Sequence, residues 1–182
     1  MRTAIVAASI ALFLGACASP NLQSSPILTQ IMFDDQQDRA IDRDKIDWKV
    51  VSARDAERRK EVLGTLRDGG LRTAKDYHDA ALVFQHGETA NEIELANALA
   101  VIASKMHPDD ADFKWLVAAT WDRLLMRYGK PQWYGTQYVR DEATARWKLY
   151  AIDEDAVTDA RRRELNVPTI GDARARADDL NR

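Results

Sequence analysis

Cysteine is almost absent from this chain of 182 residues, because Cys17 is the only one. A single cysteine excludes a disulfide bond within the chain. Histidine is scarce as well, with three residues and no His-Glu-x-x-His pattern, so we expect no bound metal. Neither sign of charge is in large excess, since 26 basic and 29 acidic residues give a net charge of −3. This balance argues against nucleic acid as a partner, and without a recognisable cofactor motif we expect no cofactor.

The amino-terminal segment has the order of a secretory signal peptide. Arg2 precedes an apolar stretch over residues 4–14, and the small residues Gly15 and Ala16 precede Cys17. The apolar stretch is shorter than the roughly 20 residues that span a bilayer, and polar residues follow soon after it. The sequence therefore predicts a cleaved signal peptide over 1–16 rather than a transmembrane helix.

The tetrad Leu14-Gly15-Ala16-Cys17 resembles the lipobox of bacterial lipoproteins. This resemblance implies that the Cys17 thiol is acylated, for example with palmitate, and that lipid then anchors the chain to a membrane of the cell envelope. Ala18 stands where an aspartate would mark retention in the inner membrane. The resemblance thus favours the outer membrane, with the protein facing the periplasm. An ordinary signal peptide with a chance cysteine is the alternative.

The remaining chain predicts one helical domain behind a short tether. Residues 17–26 are rich in Ser, Pro, Asn and Gln and are typical of a tether. Residues 27–182 are close to the usual size of one domain. Apolar residues recur there at helical spacing, as in the stripe Tyr77, Ala80, Ala81 and Phe84. We therefore expect an all-α array of antiparallel helices, built from helical hairpins with short links.

Capping signals predict where the helices begin. We expect starts at Ser52 with Asp55, Thr73 with Asp76, Thr89 with Glu92, Asp110 or Asp112, Asp153 and Thr169. The helix from Asp153 is expected to run to Leu165, and residues 27–48 are expected to be helical. The one segment with a strand-type pattern is a short piece near 134–139.

One irregular, aromatic-rich loop spans residues 129–140. Gly129, Pro131 and Gly135 break regular structure there. Gln132, Thr136 and Gln137 lie among Trp133, Tyr134 and Tyr138. Amides beside an aromatic wall suit a sugar, a peptide or another neutral polar ligand. The alternative is a structural loop whose amides satisfy its own backbone.

Two further segments carry candidate site residues. Gln85 and His86 lie where a helix is expected to end, so His86 is either a general base at a pocket or a residue of a helix terminus. Asp122 and Arg123 border an apolar stripe. Because a charge there is seldom buried unpaired, Asp122 is expected to pair with an arginine, either Arg123 or one of residues 161–163, or to orient His86.

Several of these strings occur together in a family of uncharacterised bacterial domains that this chain resembles. They are Asp76-Tyr77, Gln85-His86-Gly87, residues 115–119, Asp122-Arg123, residues 129–132, Tyr134-Gly135-Thr136-Gln137, and Asp159 with Arg162 and Arg163 ahead of Leu165. The resemblance covers about residues 50–170. It implies a helical fold and a polar site shared by two helices and the loop, and it brings no reaction.

Two functions follow from these features. The first is an envelope lipoprotein whose domain binds a peptide, a glycan or an envelope protein. The second is a hydrolase or transferase, in which His86 and Asp122 are catalytic and the 129–140 loop holds the substrate. In both cases the predicted site residues are expected to gather around one pocket lined by Trp121 or Trp133. They are Gln85, His86, Asp122, Arg123, Gln132, Tyr134, Thr136 and Gln137.

Replacing Cys17 with serine should prevent lipidation, because serine lacks the thiol that is acylated. We expect the Cys17→Ser chain to remain at precursor size and to leave the detergent phase on phase separation. The control Ser19→Ala changes a neighbouring tether residue and should be processed normally. Unchanged membrane fractionation of Cys17→Ser would contradict the prediction.

Overall fold

The structure, a computed structural model, describes residues 22–182. Within this range the chain forms seven α-helices, a short 3-10 helix over Arg43–Lys45 and one pair of strands. The helices are α1 (Pro26–Gln37), α2 (Trp48–Arg67), α3 (Ala74–Phe84), α4 (Ala90–Met106), α5 (Ala111–Arg127), α6 (Asp159–Glu164) and α7 (Ile170–Asp179). The predicted signal peptide, Cys17 and the first part of the predicted tether lie outside the described residues.

Four helices begin where the capping signals predict. The side chains of Thr73, Thr89 and Thr169 each accept a hydrogen bond from the backbone N–H three residues later, and the carboxylate at that position accepts one from the backbone N–H of the threonine. Asp110 caps α5 through two backbone N–H groups of its first turn. These bonds satisfy N–H groups that have no partner inside a helix, which is why the local sequence is sufficient to mark the start.

Helix α2 begins earlier than predicted. Ser52 and Asp55 lie inside the helix, which starts at Trp48 and is capped by the side chain of Asp47. Asp55 is only 4% exposed and forms an ion pair with Arg39. Its carboxylate therefore makes a tertiary contact and does not cap a helix. The predicted start at Ser52 is therefore wrong because a long-range partner engages the carboxylate.

Two other helix predictions were too long. The helix expected over 153–165 is reduced to α6, because the Asp153 N–H donates to the carbonyl of Gln132 at 2.8 Å and Ile152 forms a bridge with the same residue. After this pairing the chain makes a turn at residues 154–155, and the helix begins only after the cap, Thr158. The segment 27–48 is divided, since α1 ends at Gln37 and only the short 3-10 helix precedes α2.

Helices α1 to α5 enclose the main apolar core. The predicted stripe on α3 is confirmed, because Ala80, Ala81 and Phe84 are buried. Helices α3 and α4 pack along each other across the link 85–89, and α4 and α5 do so across 107–110. The core also contains Leu28, Ile31, Val62, Leu71, Val83, Ala96, Leu99, Ala100 and Leu116. The predicted all-α class, with helical hairpins, is therefore confirmed.

A small β-hairpin follows α5 and is the one sheet that residues 22–182 contain. Strand β1 (Tyr138–Arg140) pairs antiparallel with β2 (Trp147–Leu149), with Val139 opposite Lys148. β1 overlaps the strand that the sequence suggested, whereas β2 was not predicted because three residues give no periodic pattern. After α7, the amide of Asn181 binds both backbone groups of Trp147, at 2.7 and 2.8 Å. The hairpin and α7 thus form one unit.

Two buried aspartates of α3 fasten the amino-terminal segment to the domain. Asp76 accepts the backbone N–H of Ser25 at 2.7 Å, and Asp79 accepts the Thr29 hydroxyl at 3.1 Å. The last part of the predicted 17–26 tether therefore contacts the domain, and α1 begins at Pro26. Within the described range, none of the helices has both the length and the apolar content needed to cross a membrane.

Asp76 should make stability depend on pH. Burial alone would raise its pKa, but hydrogen bonds from the backbone of Ser25, Arg72 and Thr73 outweigh burial and lower the pKa below the ordinary 3.8. The ionised form is thus favoured in the folded state, so its stabilisation is present above pH 3.8 and lost as pH falls below that value.

We expect Asp76→Asn to lower the free energy of unfolding by roughly 1–3 kcal/mol at neutral pH. The difference from wild type should shrink as the pH falls below about 4. Urea unfolding at several pH values measures this. The control Asp68→Asn changes an exposed residue at the end of α2 and should have little effect. An equal loss for Asp76→Asn at every pH would contradict the prediction.

Candidate functional site

Asp122, on α5, holds the loop that follows the helix. Its side chain is fully buried. Oδ1 accepts hydrogen bonds from the backbone N–H groups of Trp133 and Tyr134, both at 2.9 Å. Oδ2 accepts from the N–H and the hydroxyl of Thr136, at 3.0 and 2.8 Å. A carboxylate has about four acceptor positions, so these four donors use its full capacity.

Gly135 allows the loop to direct these donors at one carboxylate. Its φ is 88°, in the left-handed region that residues with a side chain rarely adopt. The turn reverses the chain so that the N–H groups of Tyr134 and Thr136, on either side of it, both reach Asp122. The glycine that the sequence marked as a breaker thus shapes the binding of the loop to α5.

Arg162, on α6, binds the carbonyl side of the same loop. It is only 1% exposed. Its Nη2 donates to the carbonyl of Trp133 at 2.7 Å and its Nε donates to that of Tyr134 at 3.2 Å. Nη1 donates to the carbonyl of Val157 at 2.7 Å. The backbone of Trp133 and Tyr134 is therefore held by a buried anion on one side and a buried cation on the other.

Gln132 and Gln137 form an internal amide network. The Gln132 side chain is fully buried, donates to the carbonyls of Gln137 and Tyr150 at 3.0 Å each, and accepts the Gln137 N–H at 2.8 Å. The Gln137 amide donates to the carbonyl of Ala119 and to the Thr136 hydroxyl. These contacts match the alternative in which 129–140 is a structural loop whose amides bind the backbone.

Two expectations for Asp122 were therefore wrong. Among the described residues it forms no ion pair with Arg123 or with residues 161–163, and it does not contact His86. The reason is that backbone donors of the loop occupy the carboxylate. Burial raises the pKa of Asp122, and the hydrogen bonds of Tyr134, Thr136 and Trp133 oppose that rise.

His86 is oriented by Asp35 of α1. Its Nδ1 lies 3.1 Å from Oδ1 and 3.0 Å from Oδ2 of that carboxylate, which is completely buried. Because a carboxylate only accepts hydrogen bonds, Nδ1 carries a proton, and in the neutral ring Nε2 then holds the lone pair. Burial lowers the pKa of His86, Asp35 opposes this, and the positive charges of Arg39 and Arg123 lower it further. The ring is thus neutral at pH 7.

His86 and Arg123 line a cavity of about 700 Å³ between α2, the α3–α4 link and α5. Arg39, Arg43 and Arg127 line it as well, and the acidic residues on its wall are Asp55 and Glu88. Asp55 is already engaged by Arg39 and Arg58. The cavity therefore carries more positive than negative charge.

A second cavity, of about 630 Å³, lies beside the loop and the hairpin. Its polar lining residues are Arg176, Thr136 and Gln137, of which the Thr136 hydroxyl and the Gln137 amide nitrogen are already hydrogen-bonded within the protein. Trp115 and Trp147 contribute aromatic surface. Arg43, Arg123 and Met126 line both cavities, so the two adjoin at these residues. We call the pair of cavities the arginine groove.

Arg123 lies at the junction of the arginine groove without a counter-ion. Its Nε is buried and has no hydrogen-bond partner, and among residues 22–182 its guanidinium forms no ion pair. Burial and the positive charges of Arg43, Arg39 and Arg127 lower its pKa to about 10. The group remains a cation at neutral pH, in surroundings that disfavour its charge.

The eight predicted residues do not share one pocket. His86 and Arg123 line the first cavity, and Thr136 and Gln137 line the second with Arg123. The other four lie within the protein framework: Asp122 and Gln132 in hydrogen-bond networks, Tyr134 in an apolar cluster and Gln85 buried at the end of α3. That apolar cluster contains Trp121 and Trp133, which pack together at 5.1 Å between ring centroids.

Sequence reasoning missed several residues of the site. Asp35 is 51 positions from His86 and carries no local signal that would connect them. Arg43 and Arg176 belong to no sequence motif. In the structure Arg43 lines both cavities and lies between Trp48 and Trp147, at 5.5 and 5.0 Å from the ring centroids. In the described part of the chain, no group of three or more His, Cys, Asp or Glu side chains is arranged to hold a metal.

Comparison of the chain with models of protein families, with curated proteins and with solved structures gives no match. The resemblance to a family of uncharacterised domains therefore stays a prediction, and the function is argued from the geometry alone.

Asp122→Asn should loosen the loop. Asparagine keeps one acceptor oxygen and replaces the other with an NH₂ group, which cannot accept a hydrogen bond. The buried donors that bound that oxygen therefore lose their partner. We expect the free energy of unfolding to fall by roughly 2–3 kcal/mol in urea unfolding. Asp109→Asn, at an exposed position before α5, is the control and should be neutral. Full stability in Asp122→Asn would show that the four hydrogen bonds do not hold the loop.

Proposed function

We propose that this chain is a lipid-anchored protein of the bacterial cell envelope, attached through Cys17 to the outer membrane and facing the periplasm. Its helical domain binds a ligand or a segment of a partner in the arginine groove. The observation that carries this proposal is the unpartnered Arg123 at the junction of two cavities. A peptide, a glycan or an envelope protein is the class of partner.

The size and lining of the groove support ligand binding. Each cavity lies within the range of about 300–1,000 Å³ that small-molecule sites occupy. Aromatic surface from Trp115 and Trp147 lines the same cavity as the guanidinium groups of Arg123 and Arg176, which are unpaired within the described chain. Apolar walls with a few fixed polar groups are typical of sites that orient a ligand. The hydrogen bonds between the loop and Asp122 keep this wall in place.

An enzyme is the second candidate function, and the pair of Asp35 and His86 favours it. A buried carboxylate on Nδ1 leaves Nε2 as the basic nitrogen, which is the arrangement of a general base with an orienting group. His86 lies on the wall of the first cavity, where a bound substrate would meet it. In this second proposal Asp35 takes the role that the sequence suggested for Asp122, and the reaction is a hydrolysis or a group transfer.

Blocking the groove tests the binding function. Met126 lines both cavities, so Met126→Trp should fill space at their junction. The purified full chain in detergent is titrated with peptidoglycan fragments, neutral oligosaccharides and short peptides, and tryptophan fluorescence and calorimetry report binding. We expect at least one class to bind the wild type and to lose most of its affinity for Met126→Trp.

Met106→Trp is the matched control, because Met106 is 48% exposed at the end of α4 and lines neither cavity. It should bind like the wild type. Binding that is equal in both variants would place the ligand elsewhere and contradict the proposal. Mass spectrometry of the recovered ligand separates the two functions: conversion by the wild type but not by His86→Gln supports an enzyme, and an unchanged ligand supports a binding module.

A further inference from the structure

Arginines without a counter-ion collect at the arginine groove. Arg43, Arg123 and Arg127 line the first cavity, and Arg176 lines the second with Arg43 and Arg123. Within residues 22–182 none of the four forms an ion pair. Arg127 donates a hydrogen bond to the carbonyl of Gly87 at 3.1 Å. This bond gives one of its N–H groups a partner but does not neutralise its positive charge.

The acidic residues near the groove do not neutralise these arginines. Asp35 is bound by His86 and Arg39, and Asp55 by Arg39 and Arg58. Glu88 is the remaining acid on the wall of the first cavity and is exposed at its edge. The second cavity has no acidic residue in its described lining. A net positive charge is therefore left at the junction.

Arg123 shows where an anion would be bound. The guanidinium of Arg123 lines both cavities and has no carboxylate partner among the described residues, so an oxyanion bound there would supply the missing opposite charge. Arginine suits this role because its planar donors match the oxygens of phosphate or carboxylate. Several arginines around one point favour a group with more than one negative charge, which a phosphate monoester carries near neutral pH.

The second cavity indicates what is attached to that group. Trp115, Trp147 and Tyr138 present aromatic surface, and Val167 and Leu180 add apolar surface. A charged group alone would leave this surface uncovered. A ligand with a phosphate at Arg123 and a ring in the second cavity would use both parts of the groove.

We propose that the arginine groove binds a phosphate monoester whose phosphate lies at Arg123, between Arg43 and Arg127, and whose ring lies against Trp115 and Trp147. This inference rests on the proposed function, because it names the chemistry of the ligand that the groove binds.

Four small probes test the inference with the purified full chain in detergent, by calorimetry at constant ionic strength. They are inorganic phosphate, phenyl phosphate, phenol and benzoate. We expect phenyl phosphate to bind most tightly, inorganic phosphate more weakly, and phenol not measurably. Benzoate has the same ring with a single negative charge and should bind more weakly than phenyl phosphate. Benzoate binding as tightly as phenyl phosphate would overturn the assignment to phosphate.

Arg123→Gln should weaken phenyl phosphate binding by at least about ten-fold, the effect expected when a charge-assisted hydrogen bond is lost. Arg43→Gln, at an exposed position, should weaken it as well, and thermal unfolding of this variant checks that the fold is kept. The control Arg174→Gln removes the same charge from an exposed pair with Glu154 outside the groove. Equal weakening in Arg174→Gln would show attraction by net charge alone and overturn the inference.

Trp115→Ala separates the two parts of the ligand. It should weaken phenyl phosphate binding and leave inorganic phosphate binding unchanged, because only the ring is expected to meet Trp115. If no phosphate compound binds while a neutral ligand binds in a way that Met126→Trp abolishes, this inference fails and the proposed function stands. If phosphate compounds bind equally to Met126→Trp and to the wild type, the groove is not the phosphate site and this inference fails; the proposed function fails as well only if the peptides, oligosaccharides and peptidoglycan fragments also bind both proteins equally.

Discussion

The rest of the site depends on how two buried opposite charges hold one stretch of backbone. Asp122 takes the N–H groups of residues 133, 134 and 136, and Arg162 takes the carbonyls of 133 and 134. The two side chains are linked through the peptide groups between them and not by an ion pair. Burying a charge is costly unless polar groups surround it, and here main-chain dipoles meet that need. The loop is thereby fixed against both α5 and α6.

The same helix that fixes the loop also presents the groove. Successive residues of an α-helix point about 100° apart, so neighbours in sequence face different surroundings. Asp122 is directed to the loop, whereas Arg123 lies at the junction of the two cavities. Because Thr136 is held by Asp122 and also lines the second cavity, the framework and the wall of the groove share a residue. A structural residue and a ligand-facing residue can therefore be adjacent without sharing a role.

What the sequence could predict follows the range of the interactions. The starts at Thr73, Thr89 and Thr169 were predictable because a capping box is complete within four residues. The start of α2 was not, since Asp55 has the local pattern of a cap but a distant arginine as its partner. For Asp122 the sequence suggested an arginine as the partner. Its main partners are backbone N–H groups, which every residue except proline carries, so the residue types of the loop do not reveal them. The site was predicted only in part, because the partner of His86 lies in another helix.

The contrast between two buried arginines and the half-buried Arg123 argues that Arg123 has a role beyond stability. Arg162 is completely buried and is met by carbonyl oxygens and Asp159. Arg59 is 6% exposed and is met by Glu92 and the carbonyl of His86. Arg123 alone of these three has a buried N–H without a partner in the described chain. An apolar side chain of similar volume would remove that cost, as it often does for buried charges. Arg162 and Arg59 thus have fixed partners, whereas the guanidinium of Arg123 lines two cavities without a carboxylate partner from residues 22–182, which is where a bound anion would add the opposite charge.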